Sequence, residues 1–402
     1  MKAGSWPSIV VIYAFGIMAG GCFSSFLPLA GDFERALGIG HESFALLFAL
    51  LALPAALLGA FGGAAVNAIG PRRTLILSAL IAIAADAGDW FATSLTTLDV
   101  IRFFEGLTML GVFTAAPTLL MMTTAGRRQV AAMTLWSTYA PTGFSSGLAI
   151  AAIFAGTPAW RWTFVMHGAL FGLLALLGLW LPDPQTGTVP PPPASRRVNL
   201  MEIFSAFTEI APVRLALVFG VATALGVGVA TVMPSWLVHS YGLSIGNASN
   251  LLALANFVMI AGAFVTDLWI GKGRSANALF AGLGIAGSVA GIVLFLPGLS
   301  FGANLATLCC WLLITGAVNA CVLALLPAVL SSPERGGAAA GLFAQVSSLA
   351  ALLAPPLWLG LFDRGGWTAF AALIVCGWLV SYLLIPGLAR RFRVRVQTLP
   401  AD

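Results

Sequence analysis

The chain has 402 residues, of which 59% are hydrophobic and only 8% charged, with a formal net charge of +5 and a mean hydropathy of +0.98. A soluble globular domain of that composition would expose far more apolar surface than a monomer in water tolerates, so that class is excluded. The positive balance is spread over short connections, where it anchors a membrane protein, and calls for no nucleic-acid partner.

Twelve apolar stretches follow one another at 7–30, 44–66, 74–95, 99–121, 130–155, 161–181, 213–239, 249–270, 275–297, 303–330, 338–362 and 367–389. About 20 apolar residues at ~1.5 Å each cross a ~30 Å hydrocarbon layer. Continuous apolar runs predict helices, whereas barrel strands would alternate over ~10 residues. The first stretch is too long for a cleaved signal peptide, and similar segments follow it. The expected fold class is therefore all-α, a polytopic membrane protein of twelve transmembrane helices.

Residues 182–212 interrupt the pattern after six stretches and contain Pro190, Pro191, Pro192 and Pro193. A proline run cannot continue a helix and reads as an extended spacer. The segment 200–210 is expected to form a short helix on the membrane surface. The chain thus divides into an N-terminal six-helix bundle (1–181), a Pro-rich linker (182–212) and a C-terminal six-helix bundle (213–402) with a basic tail. With both termini in the cytoplasm, all but Arg35, Arg102, Arg161 and Arg364 of the 19 lysines and arginines lie inside. The expected location is the cytoplasmic (inner) membrane of a bacterium.

An internal repeat supports the division. Gly20, Pro28, Gly40 and Ser43 recur with the same spacing as Gly226, Pro234, Gly246 and Ser249, at one constant offset of 206. Two similar halves joined by a linker are a transporter plan, with the substrate placed at the interface of the repeats. The five cysteines lie inside the apolar stretches with no metal-ligand spacing, so neither a disulfide framework nor a metal site is expected.

Gly63-Ala-Ala-Val-Asn67-Ala-Ile-Gly70-Pro-Arg72-Arg73 resembles the loop motif between helices 2 and 3 of the major facilitator superfamily. Asn67 stands where that motif carries aspartate. Arg102-Phe-Phe-Glu105-Gly106 resembles the helix 4 signature of the family, and Trp160-Arg161-Trp162 is similar to its helix 6 opening. Asp267 ahead of Gly271-Lys272-Gly273-Arg274 is a second-half counterpart of the loop motif with altered spacing. Trp136-Ser-Thr-Tyr139-Ala-Pro141 is similar to the cyanate/nitroimidazole permease branch. The resemblance implies transport of a small-molecule substrate by alternating access and a monomer in the lipid membrane.

Ionisable side chains inside a membrane are functional suspects because each costs free energy unless paired or hydrated. Asp86 and Asp89 share one face of the third stretch, and Arg102 and Glu105 share one face of the fourth. The hairpin between them puts all four at similar depth. They are candidates for proton coupling; the rival reading is a static Asp89–Arg102 pair that locks the hairpin. Leu308, at the repeat offset from Arg102, carries no charge, so coupling chemistry is expected in the N-terminal half.

Candidate cavity residues are Tyr13, Ser24, Ser25, Trp136, Tyr139, Trp236, Asn256, Asn319 and Gln345, each equally able to make an ordinary interhelical hydrogen bond. His167 reads as a hydrogen-bonded packing residue. Asn67, Arg72, Arg73, Asp267, Lys272 and Arg274 are candidates for a cytoplasmic gate, against a role in topology alone.

No G-x-x-x-x-G-K-[ST] signature occurs, and no nucleophile–base pairing is legible, so no cofactor and no enzyme activity are expected. The expected function is secondary active transport of a small organic solute, with protons as the coupling partner; a mostly apolar cavity with one intramembrane arginine suits a monocarboxylate, another small organic anion or an amphipathic compound. The alternatives are a multidrug efflux antiporter and, more remotely, a non-transporting sensor or scaffold.

Overall fold

The computed structural model describes residues 1–38, 41–184, 209–332, 335–364 and 366–385, excepting the side chains of 41–45 and 362–364. Gly40 and the Ser43 side chain of the repeat, the Arg364 side chain, the proline run, the surface helix expected over 200–210 (up to residue 208) and the basic tail lie outside them. Among the described residues the regular structure is helical throughout, with no strand.

The helices are α1 (Trp6–Ser24), α2 (Ala30–Leu37), α3 (His41–Ile69), α4 (Pro71–Phe91), α5 (Leu95–Thr123), α6 (Gly126–Trp136), α7 (Tyr139–Phe154) and α8 (Trp162–Gly178). They continue as α9 (Ile210–Tyr241), α10 (Ile245–Ala255), α11 (Val258–Gly271), α12 (Ala276–Leu294), α13 (Phe301–Val329), α14 (Gly336–Arg364) and α15 (Gly366–Leu384). Ten spans among the described residues are long and apolar enough to cross a membrane, the pair α10–α11 counting as one, and α7 and α8 are shorter apolar helices.

Helix starts follow local chemistry. Pro7 opens α1 and Pro71 opens α4, where a missing N–H costs nothing. Gly70 precedes α4 at φ 99°, a conformation that a side chain would strain. Ser94 caps α5 by accepting from Thr97 N at 3.2 Å, and Ser300 caps α13 by accepting from Ala303 N at 3.4 Å. These two caps are related by the repeat offset, and α5 and α13 are both 29 residues long.

Three predicted stretches are divided. The first ends at Ser24, and Pro28 lies in the turn before α2; Phe26 and Phe33 stack there at 4.9 Å in an apolar cluster with Trp160 and Phe164. The fifth breaks after Trp136, because Pro141 cannot bond back to the Ser137 carbonyl and its ring crowds it. The eighth tightens at Asn256–Phe257, where Met259 N bonds Asn256 O and Ile260 N bonds Phe257 O three residues back.

The chain clusters into two compact units. The first comprises Met1–Arg128, Tyr139–Glu209 and Ser331–Ser348. Within it α3 and α4 pack on α5, α1 on α7, and α4 on α8. Gly20 faces Gly143 so closely that a Cβ on Gly20 would lie 3.3 Å from the Gly143 Cα, which lets α1 and α7 touch backbone to backbone. The second unit comprises Gln129–Thr138, Ile210–Leu330 and Leu349–Asp402. Its core is aromatic: Trp358 stacks on Phe370 with centroids 5.4 Å apart, and Phe295 lies 4.8 Å from Phe370. Leucine and isoleucine side chains such as Leu80, Leu268 and Ile285 remain exposed, as lipid-facing positions require.

Candidate functional site

Within the first unit α4, α5 and α8 bring five buried ionisable side chains together. Asp86 and Asp89 come from α4, Arg102 and Glu105 from α5, and His167 from α8, all buried. The short connection at Ala92–Ser94 and the Ser94 cap start α5 directly beside the end of α4, which sets these positions side by side. Arg161, just before α8, donates to the Trp90 carbonyl and, at 2.9 Å, to the Ala92 carbonyl, tying the start of α8 to the same end.

Arg102 is fully buried. Its Nη1 donates to Glu105 Oε2 at 2.5 Å and its Nη2 to the Cys22 carbonyl at 2.9 Å. The guanidinium carbon lies 3.9 Å from the Phe26 ring centroid, so the cation also rests on a π face. Asp86 takes a different partner: His167 Nδ1 lies 2.9 and 3.0 Å from its two carboxylate oxygens. His167 Nε2 is 3.3 Å from the Met18 carbonyl, so both ring nitrogens face acceptors, the arrangement an imidazolium satisfies with two N–H donors.

Asp89 has neither kind of partner. It is fully buried, and neither of its carboxylate oxygens has a hydrogen-bond partner. One oxygen from each of Asp86, Asp89 and Glu105 lies within 4.8 Å of the others. The static Asp89–Arg102 pair weighed from sequence is thus not formed; Arg102 turns to Glu105 instead. His167 was missed as a member of the group, since nothing local in the sequence links it to a residue 81 positions away.

The neutral candidates are dispersed. Tyr13 Oη lies 3.0 Å from Thr142 Oγ1, and Ser24 Oγ donates to the Phe144 carbonyl at 2.6 Å. Ser25 Oγ reaches the Cys22 carbonyl at 3.4 Å, while Tyr139 packs on Phe113 with centroids 4.6 Å apart. Trp136 is buried at the end of α6. In the second unit Trp236 packs edge-on against Phe295, and its Nε1 is buried without a partner, as is Asn319 Oδ1. Asn256 marks the break between α10 and α11. Gln345 falls in the first unit, where its Oε1 accepts from Ala60 N at 3.2 Å.

Of the gate candidates, Arg72 fastens the end of α8, donating to the Leu179 carbonyl and, through Nε, to the Gly178 carbonyl at 3.2 Å. Asn67 lies against Gly337 at the start of α14. Arg73, Lys272 and Arg274 are exposed, Arg274 lying 4.9 Å over the Trp269 ring, and Asp267 is half-buried on α11.

Ten spans long and apolar enough to cross a membrane among the described residues define a polytopic membrane protein. The chain belongs to the Major Facilitator Superfamily, whose sequence description matches residues 9–355. Proteins of this family and fold are transporters and not enzymes. No curated protein matches the sequence. Among solved structures, the proton:xylose symporter XylE bound to 6-bromo-6-deoxy-D-glucose is 12% identical, with 94% of each chain covered and a TM-score of 0.77. The human organic anion transporter MFSD10 (TETRAN) is 14% identical over 94% of this chain and 99% of that one, with a TM-score of 0.78. FucP, in the outward conformation, is 12% identical over 96% and 98%, with a TM-score of 0.73.

Proposed function

We propose that the protein is a proton-coupled secondary transporter of a small organic solute, working by alternating access between two six-helix halves, 1–181 and 213–402. Twelve crossings follow if α7 and α8 complete the ten longer spans. Both termini then lie in the cytoplasm of a bacterium, and the ion cluster lies in the outer half of the membrane.

The observation that carries this reading is Asp89: a fully buried carboxylate with no hydrogen-bond partner, beside the Arg102–Glu105 and His167–Asp86 pairs. An unpaired buried charge is costly, so a carboxyl in that condition is one that favours taking up a proton. A carboxylate that alternately binds and releases a proton lets an imposed proton gradient drive the cycle. The solved relatives described as a proton:xylose symporter and an organic anion transporter support both the coupling and a small organic substrate. An organic anion is the favoured class, with Trp236 and Asn319 of the second unit as candidate solute contacts and Asn67, Arg72 and Arg73 as candidates for the cytoplasmic gate. The protein acts as a monomer in the lipid bilayer.

The test is a thermal-shift screen of small organic acids, sugars and amphipathic compounds on purified protein, followed by flux of any stabilising compound in proteoliposomes. Uptake that follows an imposed proton gradient is expected. Flux indifferent to that gradient would overturn the coupling.

A further inference from the structure

Arg102 leaves one donor unspent, since its Nε is buried without a partner, and Asp89 leaves both oxygens unspent in the same cluster. An oxygen of Asp89 lies within 4.8 Å of one on Glu105, the acid that Arg102 already holds. That spacing brings Asp89 within reach of a small swing of the guanidinium. An unmet buried donor and an unmet buried acceptor each cost free energy, so the arrangement calls for a group that keeps Arg102 where it is.

Phe26 is in place to do this. It lies in the turn between α1 and α2, 1% exposed, with its ring centroid 3.9 Å from the guanidinium carbon. Phe33 of α2 stacks on the same ring at 4.9 Å and nearly parallel, and Phe164 of α8 lies 5.6 Å from it. Phe33 is fixed in turn. Trp160 meets it edge-on at 4.9 Å, and the neighbouring Asp32 accepts from Gly156 N at 2.9 Å and from Arg35. A ring held on several sides does not follow the guanidinium when it turns. A swing toward Asp89 therefore forfeits the cation–π contact, which is strongest where water is excluded.

We propose that Phe26, backed by Phe33, is a positioning residue: its ring holds the Arg102 guanidinium on Glu105 and so keeps Asp89 unpaired. The consequence for transport rests on the coupling reading above, in which Asp89 is the acid left free for the proton.

Melting temperatures of the full chain in detergent are measured for Asp89→Asn and Glu105→Gln, each in the wild-type and the Phe26→Leu background. In the wild-type background Asp89→Asn should leave Tm unchanged or raised, and Glu105→Gln should lower it. In the Phe26→Leu background the order reverses, because Arg102 has turned: Asp89→Asn lowers Tm and Glu105→Gln is nearly silent. Loss of packing alone would give shifts that add across the two backgrounds, and that result overturns the proposal. Should Phe26→Leu not fold, trifluorophenylalanine in place of Phe26 keeps the shape and weakens the negative face, and the same reversal is expected. In proteoliposomes, accumulation under an imposed proton gradient should fall roughly tenfold or more in Phe26→Leu while solute exchange persists. Reversed melting shifts in a protein whose wild type does not follow the gradient remove the coupling reading alone. Additive shifts in a protein that does follow it remove the Phe26 assignment alone.

Discussion

His167 holds Asp86 across two helices, its Nδ1 2.9 and 3.0 Å from the carboxylate oxygens, and this contact decides which acid of the α4 pair stays unpaired. Asp86 is engaged from α8; Asp89, on the same face of α4, is not.

Removing one member of that pair strands the other in an apolar interior. His167→Leu is expected to lower stability by about 3–5 kcal/mol, the usual cost of breaking a buried ion pair. The double variant His167→Leu/Asp86→Leu should recover much of that loss, because no charge is then left behind. Thermal unfolding of the two detergent-purified variants checks this, and equal losses in both would contradict the pairing.

Arg102 serves two acceptors on different helices, Glu105 on α5 and the Cys22 carbonyl on α1. Arg102→Ala should abolish transport while membrane insertion and yield stay normal. Arg102→Lys keeps the charge but loses the fork that reaches both acceptors. Loss of one charge-assisted hydrogen bond, about 1.5–3 kcal/mol, predicts a fall in transport of roughly tenfold or more for the lysine variant. Flux assays in vesicles read both, and wild-type flux in Arg102→Ala would remove the residue from the mechanism.

Gly63 on α3 packs against the start of α14 within the first unit, where an added Cβ would lie 2.9 Å from the Ala338 Cα. Backbone cannot yield as a flexible side chain can, so Gly63→Ala should cost about 1–3 kcal/mol. Gly246→Ala, at a position with nothing within 4 Å, should be nearly neutral. Comparison of the two melting temperatures is the check.

Much of this architecture was legible in the sequence for plain physical reasons. Membrane-length apolar runs locate the helices, and Asp86/Asp89 and Arg102/Glu105 declare shared faces by their i, i+3 spacing. Helix breaks were harder: Pro141 is a visible cause, whereas the tightening at Asn256–Phe257 has no proline to announce it. Pairing across helices was harder still. The sequence offered Glu105 and an aspartate alike as the group beside Arg102; Arg102 reaches Glu105 within its own helix, and His167 comes from α8 to Asp86. Gln345 illustrates the same limit, since its contact with Ala60 N joins segments 285 residues apart.

Asp89→Asn tests the coupling role most directly. The substitution removes an unpaired buried charge while keeping its shape, so the variant should fold with wild-type or higher melting temperature. In proteoliposomes it should still exchange labelled for unlabelled solute across the membrane, yet fail to accumulate solute when a proton gradient is imposed. Accumulation equal to wild type in a well-folded Asp89→Asn protein would contradict the assignment of this carboxylate to coupling.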